Sequence, residues 1–319
     1  MQTNAAAEER RSTPLFSPIR ITEMSDCDRL PASLRAGFFW NRYGFKGRGY
    51  VPRLIGRRFA REGDYVMQTK HGAKLVIDLT NLDIYATIFN SGGEWEPHIA
   101  KACHRLLRHT DVFFDIGANA GCISLDARAA LGADIRMCLF EPQPSLSNSI
   151  RKSIAANGFN NVQVFEILLG NYDGIGELYL TSHAVHASMI PREKTSDKLV
   201  LPVYRVDTLI ASGRCPPPDV IKMDTEGAEL QILEGMRRTL MERSPTILFE
   251  ADINMNRFGY NVLDLLKLIG STGNYDFYAN LPTGKLQIYE QQPTSDILAI
   301  ASRHRHRVDK DWMDGNSGR

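Results

Sequence analysis

The sequence has no apolar run long enough to span a bilayer, and it has almost no net charge. Lys and Arg together number 38, and Asp and Glu number 37, in 319 residues. The whole molecule therefore has no field that would draw it to nucleic acid or to an anionic membrane. The first twenty residues contain acids and arginines but no apolar core of a secretory signal. These absences predict a cytoplasmic protein without a nucleic-acid partner, although a local basic patch or a peripheral membrane contact stays open.

Cysteine is also scarce, and its distribution argues against a disulfide framework and a zinc cluster. The five cysteines are Cys27, Cys103, Cys122, Cys138 and Cys215. Their number is odd, and none forms a C-x-x-C pair or a zinc-type spacing. We expect reduced, mostly buried thiols, as in cytosolic proteins.

Composition divides the chain into four segments. Residues 1–35 are rich in Ala, Glu, Arg, Ser and Pro, which predicts a flexible tail. Residues 36–90 are predicted to form an auxiliary segment with a β-hairpin around His71-Gly72. Residues 91–302 are expected to form the main domain, and the polar residues 303–319 are expected to fray as a C-terminal tail.

Aromatic residues are mixed with Arg, Lys and Gly over residues 36–61. A helix and loop that pack on the main domain would explain this pattern. The alternative is a basic, aromatic surface that binds a sugar, a lipid carrier or a phosphate. Further along, a helix is predicted to begin near Glu96 or Pro97 and to lead into the main domain.

The main domain alternates strands with helices, which predicts a parallel sheet covered on both faces. The predicted strands are DVFFDIG, IRMCLFEP, NVQVFEILLG, DVIKMD and TILFEAD, and EGAELQILEGMRRTLM is predicted as one helix. Two added strands, GIGELYLTSHAVHASM and KLVLPVYRVDTLI, interrupt the order with a polar loop between them. YDFYANL and KLQIYE with DILAIAS are predicted to close the sheet as an antiparallel edge.

The stretch FFDIGANAGCISL is a strand-to-helix turn that contains an acid and two glycines. In a parallel sheet the loop after such a strand is the usual floor of a ligand site. Gly117 and Gly121 allow the backbone to approach a ligand closely, and Asp115 can accept hydrogen bonds from it. Taken alone, the turn can also be a device that only packs a helix on a strand.

The next strand ends in FEP, which places Glu141 at the neighbouring strand tip. Its two carboxylate oxygens can accept both hydroxyls of a ribose. The turn lacks the G-x-G-x-x-G pattern of dinucleotide sites. An acid there suits the cationic sulfonium and ammonium of S-adenosylmethionine, which is the predicted cofactor.

A second group of ionisable residues lies in DVIKMDTEGAEL, residues 219–230. Lys222, Asp224, Glu226 and Glu229 are crowded at the end of an apolar strand, and Gly227 permits a turn. Unpaired charge near a core is costly, so we expect a reaction chamber here. A structural ion pair and a helix-capping acid are expected to account for some of the four.

These motifs, together with RVDTLI and PTILFE, resemble the FkbM family of S-adenosylmethionine-dependent methyltransferases. The resemblance covers residues 90–252, and IKMDTEGAE is its most specific block. It implies an α/β class I methyltransferase with a Rossmann-like fold. The expected sheet is seven-stranded and mostly parallel, with an antiparallel closing strand among the seven, and this sequence adds an N-terminal extension. The resemblance also implies O-methylation of a hydroxyl on a sugar, glycan or polyketide-type product.

The resemblance also assigns residues. Residues expected to line the cofactor are Asp115, Gly117, Ala118, Asn119, Gly121 and Glu141. Lys222, Asp224 and Glu226 are expected to face the reaction chamber, and the segment NSGGEWEP is expected to fold over the cofactor, so that Glu94 or Glu96 contacts it. The chain departs from the family at residues 166–170, which leaves the adenine contacts unassigned.

Methyl transfer to a hydroxyl needs alignment and a base. The candidates for the base are His183, His186, Asp224 and Glu250; the histidines are also typical of an exposed polar loop. Asp224, Glu250 and Asp252 can also offer oxygen ligands to Mg²⁺. The alternative is that these acids orient Lys222 and the substrate.

Two other functions stay open at this point. A methyltransferase for protein or nucleic acid would favour an N-P-P-Y-like tetrapeptide or a basic face, whereas this chain has DTEG and balanced charge. A non-enzymatic member that binds a nucleoside or acts as a scaffold is the other alternative. The expected partner is a small-molecule or glycan hydroxyl acceptor, with a pocket built from residues 171–205, residues 36–61 and the last helix.

Overall fold

The structure, a computed structural model, describes most of the chain. The described residues are 19–21, 32–43, 50–59, 65–132, 135–180, 187–191, 197–251 and 253–314. None of the helices in these ranges combines the length and the apolar character needed to cross a bilayer.

Within these ranges the strands are β1 (Ile19–Ile21), β2 (Tyr65–Gln68), β3 (Lys74–Val76), β4 (Val112–Ile116), β5 (Arg136–Phe140), β6 (Val162–Phe165), β7 (Leu168–Leu169), β8 (Gly174–Leu180), β9 (Asp197–Tyr204), β10 (Val220–Met223), β11 (Thr246–Glu250), β12 (Tyr275–Asn280), β13 (Leu286–Ile288) and β14 (Asp296–Ala301). The helices are α1 (Ala32–Arg42), α2 (Tyr50–Phe59), α3 (Leu82–Asn90), α4 (Pro97–Leu106), α5 (Cys122–Leu131), α6 (Pro144–Asn157), α7 (Val206–Ala211), α8 (Glu229–Glu234), α9 (Arg237–Arg243) and α10 (Val262–Thr272).

The main sheet has eight strands in the order β13-β12-β14-β11-β10-β4-β5-β6 in the described part of the chain. Strands β11, β10, β4, β5 and β6 are mutually parallel, while β14 runs antiparallel to β11. This confirms the predicted α/β architecture, with a mostly parallel sheet and an antiparallel closing strand. The short β13 at the edge makes one strand more than the seven predicted.

The buried strand β4 lies in the middle of this sheet. All of its residues, Val112–Ile116, are buried, as is usual for a parallel strand covered on both faces. In the register, Asp115 lies beside Lys222 of β10 and Leu139 of β5. The chemistry-bearing ends of β4, β5 and β10 therefore meet at one edge of the sheet.

Three predicted elements are divided in the structure. NVQVFEILLG leaves the main sheet after β6 and continues as β7 in a second sheet, of order β7-β9-β8. KLVLPVYRVDTLI is a strand only to Tyr204 and then becomes α7. The helix predicted after Glu226 is two helices, α8 and α9, which meet at Gly235. A Cβ at Gly235 would lie 1.9 Å from the carbonyl oxygen of Gly170, so two separate chain segments touch there.

The N-terminal residues pack on the main domain. The predicted hairpin is confirmed, since β2 pairs antiparallel with β3 and Gly72 turns the chain at φ +89°. Phe38 of α1 meets Phe89 of α3 edge to face at 5.2 Å, in a core shared with Leu125 of α5. Strand β1 pairs with β2, and α1 begins at Ala32. The prediction that residues 1–35 form a flexible tail is therefore wrong for residues 19–21 and 32–35.

The expectation that the chain frays after Ser302 is also wrong for residues 302–314. A 3-10 helix spans Ser302–Arg307, and Arg307 forms a buried ion pair with Asp111, with an N–O distance of 2.6 Å. Trp312 is fully buried, and its carbonyl oxygen accepts the amide of Leu286. The buried Trp312 and several ion pairs, including those of Arg303, Arg305 and Arg307, thus hold a segment whose average composition is polar.

Candidate functional site

The turn after β4 presses against the loops of both neighbouring strands. The amides of Gly117 and Ala118 donate to the carbonyl oxygen of Phe140 at 2.9 and 3.1 Å. Gly117 has φ +78°, and a Cβ there would lie 1.8 Å from the carbonyl oxygen of Asp224. Gly121, at φ +71°, begins α5, and a Cβ there would lie 3.1 Å from Ile150. Gly117 is therefore required for close packing between strand ends, while Gly121 and Ala118 do not line the cleft described below.

Glu141 is a buried carboxylate at the tip of β5. Its oxygens accept the backbone amides of Asn119 and Gln143, each at 2.9 Å. Burial raises the pKa of Glu141 to about 7, although these two hydrogen bonds act in the opposite direction. Each oxygen keeps lone-pair capacity, and the buried Oδ1 of Asn119 has no hydrogen-bond partner among the described residues. The wall beside β5 thus offers acceptors to a ligand with hydroxyl donors.

An open cleft runs along these strand ends and contains about 700 Å³ of empty space, part of it continuous with solvent. Its polar wall includes Gly117, Asn119, Glu141, Asp224 and Glu226. Its apolar wall is formed by Phe140, Ile167, Leu168, Leu169, Leu178, Met189 and Ile232. The segment that departs from the family pattern, residues 166–170, therefore supplies part of the apolar wall.

Lys222 of β10 contacts residues at the ends of both β4 and β10. Its Nζ donates to the carbonyl oxygen of Gly117 at 2.9 Å, and it lies 3.3 Å from Asp115 Oδ1 and 3.6 Å from Asp224 Oδ2. Burial alone would lower the pKa of Lys222, but the charges of Asp115 and Asp224 outweigh burial and raise it. Lys222 is therefore a buried cation that fixes both carboxylates.

Asp115 lies behind the cleft rather than on its wall. It is 1 % exposed, and its Oδ2 accepts the hydroxyl of Ser124 at 2.5 Å. This position does not fit the direct ligand contact expected of Asp115, because Ser124 and Lys222 already engage its carboxylate. Asp115 instead forms a buried ion pair with Lys222 and holds its ammonium group in place.

A second, smaller space lies on the other side of Asp224. Glu96, Lys222, Asp224, Glu250 and Asp296 contribute its charged lining. Burial and the charge of Asp224 raise the pKa of Glu96 to about 7, while Lys222 opposes this shift. Asp224 lines both spaces, so it lies between the cleft beside Glu141 and a small chamber lined by a cation and several carboxylates.

Asp296 and its partner His98 were not singled out in the sequence. Because β14 is antiparallel, its first residue lies at the same edge as the last residue of β11, and Asp296 pairs with Glu250 in the register. His98 Nε2 lies 2.9 Å from Asp296 Oδ2, and this hydrogen bond raises the pKa of His98. An acid at the start of a predicted antiparallel closing strand was the signal that could have revealed this pair.

Glu226 and Glu229 have different roles in the turn after β10. Glu226, at φ +57°, lines the cleft and accepts a hydrogen bond from Asn254 at 2.7 Å. Glu229 is buried, and its carboxylate accepts the amide and hydroxyl of Thr225 and the hydroxyl of Tyr260. Glu229 is thus the structural acid that the sequence led us to expect among the four.

Three predicted residues, His183, His186 and Asp252, lie outside the described residues. The proposed Mg²⁺ ligand set of Asp224, Glu250 and Asp252 finds no support. Among the described residues, the group arranged to share a metal ion is a different one, formed by His71, His104 and Asp126.

Comparisons with known proteins found similar sequences and solved structures. A curated relative, the hexuronic acid methyltransferase AglP of Haloferax volcanii, is 28% identical over 134 residues, which cover 41% of this chain and 52% of the relative. The chain thus spans about half the length of that relative. Among solved structures, methyltransferase FkbM from Methylobacillus flagellatus KT is 17% identical with a TM-score of 0.45, covering 82% of this chain and 62% of that one.

TYW2 of M. jannaschii, solved in complex with AdoMet, is 12% identical with a TM-score of 0.40, covering 74% of this chain and 84% of that one.

The methyltransferase FkbM domain, as a sequence family, matches residues 115–277, which is just over half of the chain. The matched range begins at Asp115 and includes the turn, Glu141 and the block from Lys222 to Glu229. The chain belongs to the FkbM methyltransferase family.

Proposed function

We propose that this protein is an S-adenosylmethionine-dependent methyltransferase that methylates a hydroxyl on a sugar, a glycan or a polyketide-type natural product, with a sugar as the first choice. The observation that carries the proposal is the position of Asp224 between the cleft beside Glu141 and the small charged chamber. Family membership supports methyl transfer. The curated relative is described as acting on a hexuronic acid, which supports a sugar acceptor.

In this proposal the adenosyl part of the cofactor binds in the cleft. Glu141 and the unpartnered Oδ1 of Asn119 offer acceptors for the ribose hydroxyls, and the apolar wall beside Leu168 and Leu169 offers a surface for a flat ring. Gly117, in the polar wall, has no side chain that would narrow the cleft. When bound, S-adenosylmethionine supplies a methyl group on a cationic sulfur.

In this proposal the chain's own residues position the acceptor's hydroxyl and its proton beside the small chamber. Lys222 Nζ lies 3.6 Å from Asp224 Oδ2 and so holds this carboxylate where it lines both spaces. Glu96 has a pKa of about 7, which is well placed for a general base near neutral pH. We therefore assign Glu96 to accept the hydroxyl proton, rather than to contact the cofactor as first expected. Asp224, Glu226 and Glu250 stay proposed contacts of the substrate side.

The proposal is tested by transfer of a labelled methyl group to a panel of acceptors. The panel contains free hexuronic acids, neutral hexoses, a polyketide alcohol and bulk RNA. Label on a sugar hydroxyl, lost in Asp224→Asn but kept in Asp276→Asn, is the expected result. Asp276 is a suitable control because it pairs with Arg305 and lines neither space.

The other outcomes contradict specific parts of the proposal. Label in RNA would overturn the sugar acceptor and the predicted absence of a nucleic-acid partner. Label in the polyketide alcohol alone would move the acceptor from sugars to natural-product alcohols. A protein that binds the cofactor tightly but labels none of the acceptors would favour the non-enzymatic alternative.

A further inference from the structure

Three side chains from three separate elements converge away from the cleft. His71 lies in the turn between β2 and β3, His104 in α4, and Asp126 in α5. His71 Nδ1 is 2.8 Å from Asp126 Oδ2, and His104 Nε2 is 3.2 Å from the same oxygen. The two imidazole rings lie 4.5 Å apart, tilted by 38°. Both histidines therefore direct a ring nitrogen at one carboxylate oxygen.

The carboxylate is held in place independently of the two rings. Its other oxygen, Oδ1, accepts the backbone amide of His71 at 2.8 Å. The side chain of Asp126 is 3 % exposed, whereas those of His104 and His71 are 20 % and 38 % exposed. The group is thus anchored on its inner side and open on its outer side, where a broad cleft is also lined by Lys70, Lys101 and Pro282.

We propose that His71, His104 and Asp126 bind a divalent transition-metal ion, with Zn²⁺ as the preferred ion. Two imidazole nitrogens and one carboxylate oxygen are the three-ligand set of open zinc sites, in which solvent takes the fourth position. Mg²⁺ and Ca²⁺ prefer oxygen ligands alone, so this donor set disfavours them. Nitrogen-rich donor sets of this kind favour late first-row ions.

The distances allow such a site with little movement. Tetrahedral coordination with bonds near 2.1 Å places neighbouring ligand atoms about 3.4 Å apart. The two nitrogen–oxygen distances are 2.8 and 3.2 Å, and all three ligand atoms lie within 4.8 Å of one another. Shifts below about 1 Å, achieved by side-chain rotation, would therefore open the group to an ion.

Binding would connect the N-terminal hairpin to the main domain. The residue before His71, Lys70, donates its amide to the carbonyl oxygen of Gly93 at 3.1 Å, and its Nζ pairs with Glu94 at 3.1 Å. An ion held by His71, His104 and Asp126 would thus fix the hairpin turn against α4, α5 and the segment that precedes Glu96. The expected consequence is a higher melting temperature of the loaded protein.

The test uses the full chain without a polyhistidine tag, stripped by chelator and titrated with ZnCl₂ in a calorimeter. His71→Ala and His104→Ala are the test variants, and His109→Ala is the matched control because His109 is an exposed histidine just beyond α4. We expect one site per chain, weakened by more than about 100-fold in both test variants, since even indirect metal partners are worth about 10- to 100-fold. The control should bind like the original chain, and Mg²⁺ should not bind.

Two further readouts separate binding at this site from other effects. Co²⁺ should give the absorption of a nitrogen- and oxygen-ligated ion without thiolate charge transfer, which excludes the cysteines. Zn²⁺ should raise the melting temperature of the original chain and of His109→Ala but not of His71→Ala, whose circular dichroism checks that it is folded. Absence of zinc binding, or binding that is unchanged in folded His71→Ala and His104→Ala, would overturn the proposal.

Discussion

Replacing Glu141 by glutamine should weaken the binding of S-adenosylmethionine by about ten- to a hundredfold while the protein stays folded. Glu141 uses one oxygen for the amide of Asn119 and the other for that of Gln143, which leaves acceptor capacity for a ligand. Glutamine has one carbonyl oxygen and one donor group in place of two acceptors. Loss of a hydrogen bond to a charged acceptor costs about 1.5–3 kcal/mol, and each 1.4 kcal/mol is about tenfold in affinity.

The free energy of unfolding should change much less, because two effects of the substitution oppose each other. One backbone amide loses its acceptor, at a cost of about 1–3 kcal/mol. Keeping Glu141 ionised above pH 7 costs about 3 kcal/mol, because burial raises its pKa from 4.5 to about 7, and glutamine removes this cost. Urea unfolding at pH 8 should therefore place the variant close to the original chain.

The same pKa predicts how affinity depends on pH. Below pH 7 the carboxylate of Glu141 gains a proton and loses acceptor capacity, so affinity should fall by up to about tenfold per pH unit. Above pH 7 it should be constant. Adenosine is the useful ligand for this series because it lacks the amino-acid part, whose amine also titrates. Glu141→Gln should show no such pH dependence.

The control for this experiment is Glu166→Gln. Glu166 also follows a strand of the main sheet, but it pairs with Arg151 at 3.0 Å and does not line the cleft. Its replacement should leave affinity and its pH dependence unchanged. Unchanged affinity in folded Glu141→Gln would refute the assignment of Glu141 to the ribose.

Three other substitutions test the turn, the buried cation and the proposed base. Gly117→Ala should destabilise the protein by several kcal/mol more than Gly132→Ala. Both glycines have positive φ, which costs alanine about 1–2 kcal/mol, but only a Cβ at Gly117 would meet a carbonyl oxygen, at 1.8 Å. Equal melting temperatures of the two variants would contradict this. Lys222→Met should cost about 3–5 kcal/mol in urea unfolding because it leaves the buried carboxylate of Asp115 unpaired. Adding Asp115→Asn should restore part of that loss; a fully stable single variant would show that the ion pair is unimportant. Deprotonation of Glu96 predicts that the methylation rate rises with pH through about 7. Glu96→Gln should lower turnover and abolish this rise. A variant that keeps the pH profile would show that Glu96 is not the base.

The sequence predicted those parts of the site that depend on strand ends. A buried apolar strand followed by an acid or glycine placed Gly117, Glu141 and Asp224 at one edge of a parallel sheet, and the structure has them there. The alternation of strands and helices also predicted the architecture, because burial on both faces of a parallel sheet leaves a clear pattern.

The parts that sequence reasoning missed depend on contacts between distant segments. Asp115 has the same local pattern whether it faces a ligand or Ser124 and Lys222, and only the packed structure separates the two cases. Gly235, between α8 and α9, lies against the carbonyl oxygen of Gly170, and a local sequence pattern cannot reveal this contact. Trp312 is one apolar residue within a polar segment, so the average composition of that segment did not reveal that it is buried.

The most direct test of the central claim is a calorimetric titration of the purified chain with S-adenosylmethionine, S-adenosylhomocysteine and NAD. The account predicts that both adenosyl ligands bind at one site per chain, that NAD does not bind, and that Glu141→Gln weakens both adenosyl ligands. Binding of NAD, or no binding of either adenosyl ligand to the folded chain, would contradict it.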